Sequence, residues 1–123
     1  TTEIYTLSLH DALPIYDYLM LHGFGVEVTD GLAEYWHAAM RREMGIAGCE
    51  PQDQAGLVTQ AYQGSRFGFG YPACPDLEAH RPVFAMLRPE RIGVTLTENM
   101  LMVPEQTTSA IIAHHPQAKY FAV

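Results

Sequence analysis

Between Asp17 and about Met44, apolar residues return every three or four positions: Leu21, Phe24, Val28, Leu32, Tyr35, Ala39 and Met40. That spacing lines up one stripe on an α-helix, and Gly45 supplies a stop. Gly23, Gly25 and Gly31 interrupt the pattern. Each costs about 1 kcal/mol against alanine in a helix interior, so the helix needs compensating packing or a neighbour close against its backbone. A second face carries Glu27, Asp30, Glu34, His37 and Arg41 at helical spacing. Taken alone, this is a solvated charged face with local ion pairs. The alternative is that one or two of its carboxylates face a bound cation.

A short loop, Gly45 to Glu50, leads to a second predicted helix opened by Pro51 at an early position, with Leu57, Val58, Ala61 and Tyr62 as its packing face. Gly64 and Ser65 end it. From Arg66 to Pro75 the chain reads RFGFGYPACP. Glycine widens the allowed backbone, while proline fixes it and removes a donor, so this stretch predicts a shaped loop rather than regular helix or sheet. Such loops concentrate ligand contacts, and bare backbone at Gly70 lets a flat ligand approach. Asp76 then predicts a helix N-cap, with Glu78 in the first turn where the helix dipole favours negative charge. An interior proline costs about 3 kcal/mol, so Pro82 implies a kinked helix or one that begins near Arg81. Val83, Phe84, Met86 and Leu87 point to a core, and Arg88-Pro89-Glu90 ends the element.

The remainder has the pattern of strands: Val94 to Leu96, Met100 to Val103 and the β-branched Thr107 to His114. Pro104 to Gln106 separates the second and third. His115-Pro116-Gln117-Ala118 predicts a turn that returns the chain into Lys119-Tyr120-Phe121-Ala122-Val123 as an antiparallel hairpin. The predicted fold is α+β: helices packed on a mainly antiparallel twisted sheet, with a C-terminal β-hairpin. The chain stops inside a predicted strand, which marks either a natural terminus or a truncation.

With 123 residues, 48% hydrophobic and 17% charged, the composition fits one globular unit with a real core. A formal net charge of −7 argues against nucleic acid or an anionic membrane as main partner, since both require clustered Lys and Arg. Cys49 and Cys74 lack the number and spacing of a zinc site or disulfide framework, so a cytoplasmic setting is expected. No apolar run approaches membrane-spanning length. His22, His37, His80, His114 and His115 show no recognised metal-ligand spacing. Cys74, between two prolines and without an evident base, is read as packing rather than as a redox nucleophile. The first fifteen residues, TTEIYTLSLHDALPI, match the translation of a common short-read sequencing adaptor at every position. A signal peptide is excluded there by the missing basic start and apolar core. The expected organisation is an adaptor-derived, non-native segment at 1–15 and a truncated natural domain at 16–123.

Several segments carry a family resemblance. SRFGFGYPACPD resembles the signature Arg-x-x-x-Gly-Tyr-Pro-Ala-Cys-Pro of the S-adenosylmethionine-binding activation domain of cobalamin-dependent methionine synthase. GLAEYWH, YQGSR, LTENMLMVPEQTTSA and HHPQAKYFAV match in order on both sides, covering nearly all of Asp17 to Val123. The family's domain is longer, and only its C-terminal part is similar to this chain.

The resemblance implies that Arg66 contacts the carboxylate of the methionine moiety, work suited to a planar guanidinium. It implies that Tyr71 and Ala73 line the adenosyl pocket, Ala73 through backbone groups, with Gly70 and Pro72 of the same motif among the ligand-binding positions. Tyr120 corresponds to a ligand-contacting tyrosine. Asp30 stands where a glutamate near the ligand is usual, and Gln60 where a second glutamate can occur. A carboxylate there balances the positive sulfonium. The implied function is to bind S-adenosylmethionine and present its methyl for reductive reactivation of cobalamin in an enzyme that moves methyl from methyltetrahydrofolate to homocysteine. Implied partners are the parent enzyme's separate cobalamin-binding domain and flavodoxin or a related reductase. The family draws a further acidic contact from an upstream segment, so this fragment alone is expected to bind weakly or not at all and not to be catalytically competent. The alternative is a folded fragment with no ligand-binding activity of its own.

Overall fold

The computed structural model describes residues 15–120, so the adaptor-like segment apart from Ile15, and residues 121–123, lie outside the described residues. The long helix is α1, Ile15–Glu43, with Asp17 in its first turn and Arg41 and Arg42 in its last, charges that complement the helix dipole. Gly45 ends it as expected. At φ +71° it donates to the Arg42 carbonyl at 3.1 Å, and Ile46 N–H reaches the Arg41 carbonyl at 3.0 Å. This closure needs a left-handed residue, which glycine supplies without a Cβ clash. Gly25 has the close neighbour that its presence implied: a Cβ there would stand 3.3 Å from the Gln106 side chain. Thr29 Oγ1, one turn on, also donates to the Gln106 carbonyl at 3.3 Å.

The helix does not bury the face that its apolar spacing predicts. Leu21, Phe24, Val28, Leu32, Tyr35 and Met40 are 42–67% exposed, whereas His37 and Arg41 on the charged face are 0% exposed. The charged face turns inward because its side chains find partners there, in Glu50, Tyr62 and Arg66. No described residue covers the apolar stripe well enough to bury it.

After a 3-10 turn at Ala47–Cys49, the second helix is only α2, Gln54–Val58. Asp53 opens it by accepting from Gly56 N–H at 2.8 Å, and Pro51 precedes this cap instead of occupying the first turn. Tyr62 is the deeply buried member of the expected packing face, while Val58 is exposed. Asp76 caps as predicted, accepting from Glu78 N–H at 2.9 Å, at a 3-10 turn over Leu77–Ala79. That turn runs into α3, His80–Leu87, with Pro82 in its first turn. Arg88 at φ +52° closes α3 before another 3-10 turn, Pro89–Ile92.

Among the described residues, four short strands make two antiparallel pairs, giving the α+β class expected. Strand β1, Ser65–Gly68, pairs with β4, Ala110–Ala113, with Arg66 opposite Ile112. Strand β2, Thr95–Leu96, pairs with β3, Met102–Val103. Two expectations change here. Arg66 to Gly68 is strand rather than loop, because β4 supplies the ladder that a glycine-rich segment lacks locally; irregular backbone begins at Phe69. The strand before the C-terminal turn is therefore paired with β1. Ala118 N–H does reach the His115 carbonyl at 2.9 Å, so the turn is present, but Lys119 and Tyr120 form no strand and the rest of the expected return strand lies outside the described residues.

The buried centre has two parts. Tyr62 lies beneath the C-terminal half of α1, and Phe69 packs against His80 of α3, whose ring in turn meets Phe84. No helix among the described residues is long and apolar enough to cross a membrane. At the start of β1, Gly64 has φ +92°, and a Cβ would lie 2.6 Å from the Ala113 carbonyl oxygen. Gly64→Ala should therefore part β1 from β4 and destabilise the chain by about 2–3 kcal/mol, read as a lower denaturant midpoint. An unchanged midpoint would contradict this packing.

Candidate functional site

Glutamate 34, halfway along the charged face of α1, is the centre of a side-chain network. Its Oε2 accepts from Arg66 Nη1 at 2.6 Å and from the Tyr62 hydroxyl at 2.9 Å. Its Oε1 accepts from Arg41 Nη2 at 3.4 Å. Arg41 is gripped at two points by Glu50, through Nε to Oε1 and through Nη2 to Oε2 at 2.9 Å. Its guanidinium carbon also lies 3.6 Å from the centre of the Tyr62 ring. A buried guanidinium is tolerated only when paired and hydrogen-bonded, and this one has both carboxylates and an aromatic face. One turn after Glu34, His37 places Nδ1 3.0 Å from Arg66 Nη1.

These contacts set the charges. Burial pushes the Glu34 carboxyl up, but hydrogen bonds from Arg66 and Tyr62 and the two arginine charges outweigh it and hold the group below its ordinary value. Glu50 is lowered chiefly by its hydrogen bond from Arg41. Burial and the hydrogen bond to Glu34 raise Tyr62, which stays a donor. His37 is pushed down to about 4, first by burial and then by the charges of Arg41 and Arg66, so the ring is neutral near pH 7.

Above this network lies a cleft of about 490 Å³ between α1 and the β1–β4 pair. Five of the sequence-predicted residues reach its lining: Asp30, Gln60, Arg66, Tyr71 and Tyr120. Gln60 is held by Ser65 Oγ, which donates to its Oε1 at 3.0 Å. Tyr120 stacks on Phe67 of β1, with ring centres 6.2 Å apart. Tyr71 folds back over β1, where a Cβ on Gly68 would sit 3.2 Å from its ring. Gly70, Pro72 and Ala73 are not on the lining of this cleft. They build the turn that aims Tyr71: Cys74 N–H donates to the Tyr71 carbonyl and Gly70 N–H to the Cys74 carbonyl, both at 2.8 Å. Gly70 itself has φ +85° with Leu77 at 3.0 Å from a notional Cβ, which favours glycine there.

The lining also includes His37, Trp36, Ser109 and Ile112, which sequence reasoning did not assign to a site. His37 had a signal, since it follows Asp30 by two helical turns. Ser109 had none: it accepts or donates at 2.8 Å with His80 Nε2, a partner 29 positions away. Among the described residues, no group of three His, Cys, Asp or Glu side chains is placed to hold a metal ion.

The depressed His37 value gives a pH prediction. Between pH 6.5 and about 4 the unfolded chain takes up a proton that the folded chain refuses. Stability from this residue is thus complete above pH 6.5 and falls as pH drops toward 4. Glu34 and Glu50 extend the loss below their ordinary value of 4.5, as their carboxylates protonate. Denaturant titrations should show a slope of stability against pH in the upper window that is shallower in His37→Asn; an identical slope would count against the buried neutral ring.

Comparison with known proteins identifies the family and the fold. Residues 4–123, a span that reaches into the first fifteen, match the family model described as vitamin B12 dependent methionine synthase, activation domain. Methionine synthase of Mycobacterium tuberculosis is 49% identical over 113 residues, covering 87% of this chain and 10% of that protein. The Mycobacterium leprae methionine synthase is 47% identical over 113 residues, covering 87% and 9%. The crystal structure of the MetH reactivation domain bound to AdoHcy superposes with a TM-score of 0.84 at 28% identity, covering 98% of this chain and 38% of that one. This chain therefore spans about a tenth of the length of the curated relatives that it matches. With the family model matching nearly its whole length and its fold shared with the reactivation domain, the chain belongs to the family of vitamin B12 dependent methionine synthase activation domains.

Proposed function

We propose that this chain forms part of a site that binds S-adenosylmethionine and presents its methyl group for reductive reactivation of cobalamin in a methionine synthase. The observation that carries the reading is the orientation of Arg66. Among the described residues its hydrogen bonds all run through Nη1, to Glu34, His37 and Tyr62, while the side chain lines the cleft. Its remaining edge is left for a carboxylate, which a guanidinium binds best through paired hydrogen bonds. That a solved neighbour of the same fold is bound to AdoHcy supports an adenosyl ligand for this chain.

The cleft residues suit that ligand. A volume of about 490 Å³ lies in the range of small-molecule sites, and its walls mix aromatic and aliphatic side chains with the polar Asp30, His37, Gln60, Arg66, Thr108 and Ser109. Tyr71 and Tyr120 offer flat faces for a base, and Asp30 is a carboxylate for the cationic end of the ligand. When bound, S-adenosylmethionine supplies a methyl on a positively charged sulfur. The chain's own contribution is to bind and orient, which is a positioning role rather than proton transfer. Cobalamin would be held by a separate domain of the parent enzyme, with flavodoxin or a related reductase supplying the electron.

One observation favours weak binding by the isolated chain. Trp36, Tyr71 and Tyr120, the aromatic walls of the cleft, are 56%, 61% and 40% exposed, so the described residues enclose a ligand on one side. Calorimetry on the 123-residue chain should detect weak S-adenosylmethionine binding or none, and tight binding would contradict this. In an intact parent enzyme, Arg66→Ala should lower affinity for S-adenosylmethionine about tenfold or more and abolish reactivation while the domain stays folded. Unchanged reactivation would refute the assigned role.

A further inference from the structure

We propose that His37 is a positioning residue for the ligand site: it takes one hydrogen of Arg66 Nη1 and so keeps the opposite edge of the guanidinium turned toward the cleft. The inference rests on the reading of Arg66 given above and adds a residue and a cause to it.

Arginine is only a donor, so the 3.0 Å approach of Nη1 to His37 Nδ1 requires Nδ1 to be unprotonated. The ring is then the neutral tautomer with its proton on Nε2. A buried ring beside two guanidinium groups has good reason to stay neutral. Nη1 carries two hydrogens. One faces Glu34 Oε2 at 2.6 Å and the other has His37 Nδ1 at 3.0 Å, with the Tyr62 hydroxyl oxygen a longer acceptor at 3.3 Å whose own hydrogen goes to Glu34. Both Nη1 hydrogens are therefore committed to α1 and its surroundings.

Removing the His37 acceptor changes what Arg66 prefers. A lone guanidinium beside a lone carboxylate forms a two-pronged pair, with both terminal nitrogens donating to the two oxygens. With His37 absent, Arg66 can turn toward that arrangement with Glu34. The turn would consume Nη2, the donor that the ligand's carboxylate needs. Glu34 resists it in part, because its Oε1 already accepts from Arg41, but at 3.4 Å that bond is the longest in the network. Off the Glu34 carboxylate, His37 gives Nη1 its nearer acceptor at 3.0 Å, against 3.3 Å for the Tyr62 hydroxyl, which is itself tied to Glu34. Its own Nε2 is buried with no partner among the described residues, so the ring is placed for what Nδ1 accepts rather than for a second hydrogen bond.

The test uses an intact methionine synthase containing this domain, with His37→Phe, His37→Asn and His37→Gln. Phenylalanine removes the acceptor, asparagine places an oxygen close to the Nδ1 position, and glutamine places one nearer Nε2. Each is titrated calorimetrically with S-adenosylmethionine and with 5′-methylthioadenosine, an adenosyl probe that lacks the carboxylate. We expect about tenfold weaker S-adenosylmethionine binding for Phe and Gln, recovery to within about threefold for Asn, and unchanged 5′-methylthioadenosine binding in all three. Equal losses for both ligands would mean that His37 only holds the fold, and no loss would mean that it does not act on Arg66; either result overturns the proposal. Should the Phe variant fail to fold, the Asn and Gln pair, both polar, decides between the same outcomes. Arg66→Ala separates the two levels. If it leaves S-adenosylmethionine binding intact, the reading of the site fails, whereas loss in Arg66→Ala with none in the His37 variants defeats this inference alone.

Discussion

The carboxylate of Glu34 ties two arginines to one tyrosine, and the local architecture depends on it. Taking an ionised guanidinium out of water costs several kcal/mol, and Arg41 is buried completely. That cost is offset by the two-point grip of Glu50, the shared Glu34 oxygen and the Tyr62 ring beneath the guanidinium. The partners come from separate pieces of chain: Glu34 and Arg41 from α1, Glu50 from the following loop, Tyr62 from the approach to β1 and Arg66 from β1 itself. The network therefore fixes how α1 lies on the strands. Replacing any one member would leave a buried charge or hydroxyl without its partner, which is costlier than removing the whole set.

The same network supplies one wall of the cleft. Arg66 belongs to both, committed to α1 through Nη1 and to the cleft through its other edge. On the opposite side Gly68, Ala110 and Ile112 of the β1–β4 pair, with Tyr71 and Ser109, set the remaining wall. Phe69 is wedged against His80 with ring centres 4.5 Å apart, and His80 in turn meets Ser109 on the cleft lining. The site is thus assembled on packed elements at both ends, and its aromatic faces are carried by residues whose backbones are closed by hydrogen bonds. Rigid support of this kind suits a protein that orients a ligand for chemistry done elsewhere.

Several features were legible in the residues. Gly45 as a helix stop, Asp76 as a cap and Pro82 in a first turn follow from local rules, because the groups that satisfy them lie within a few positions. The signature around Gly70 and Tyr71 singled out the loop whose Tyr71 reaches the cleft, and helical spacing put Asp30 on the same side of α1 as His37. Gly25 implied a close neighbour without naming it, and Gln106 fills that place. Gly70, Pro72 and Ala73 were read as ligand positions, while in the structure their visible work is to close the turn that aims Tyr71.

Local spacing by itself determined that the chain from Asp17 to about Met44 makes one helix, that two faces of it differ, and that a shaped loop lies within Arg66 to Pro75, of which the structure keeps the part from Phe69. Only the tertiary structure decided which face turns inward and which strand pairs with which. Periodicity reports which side chains share a face, but the choice between faces depends on partners 9 to 32 positions away, as Glu50 is from Arg41 and Arg66 from Glu34. Here the ionic partners of Glu34, Arg41 and His37 outweighed the apolar stripe, since no described residue lies over that stripe to reward its burial. Strand β1 is likewise a strand only because β4, more than forty residues later, offers its backbone to pair.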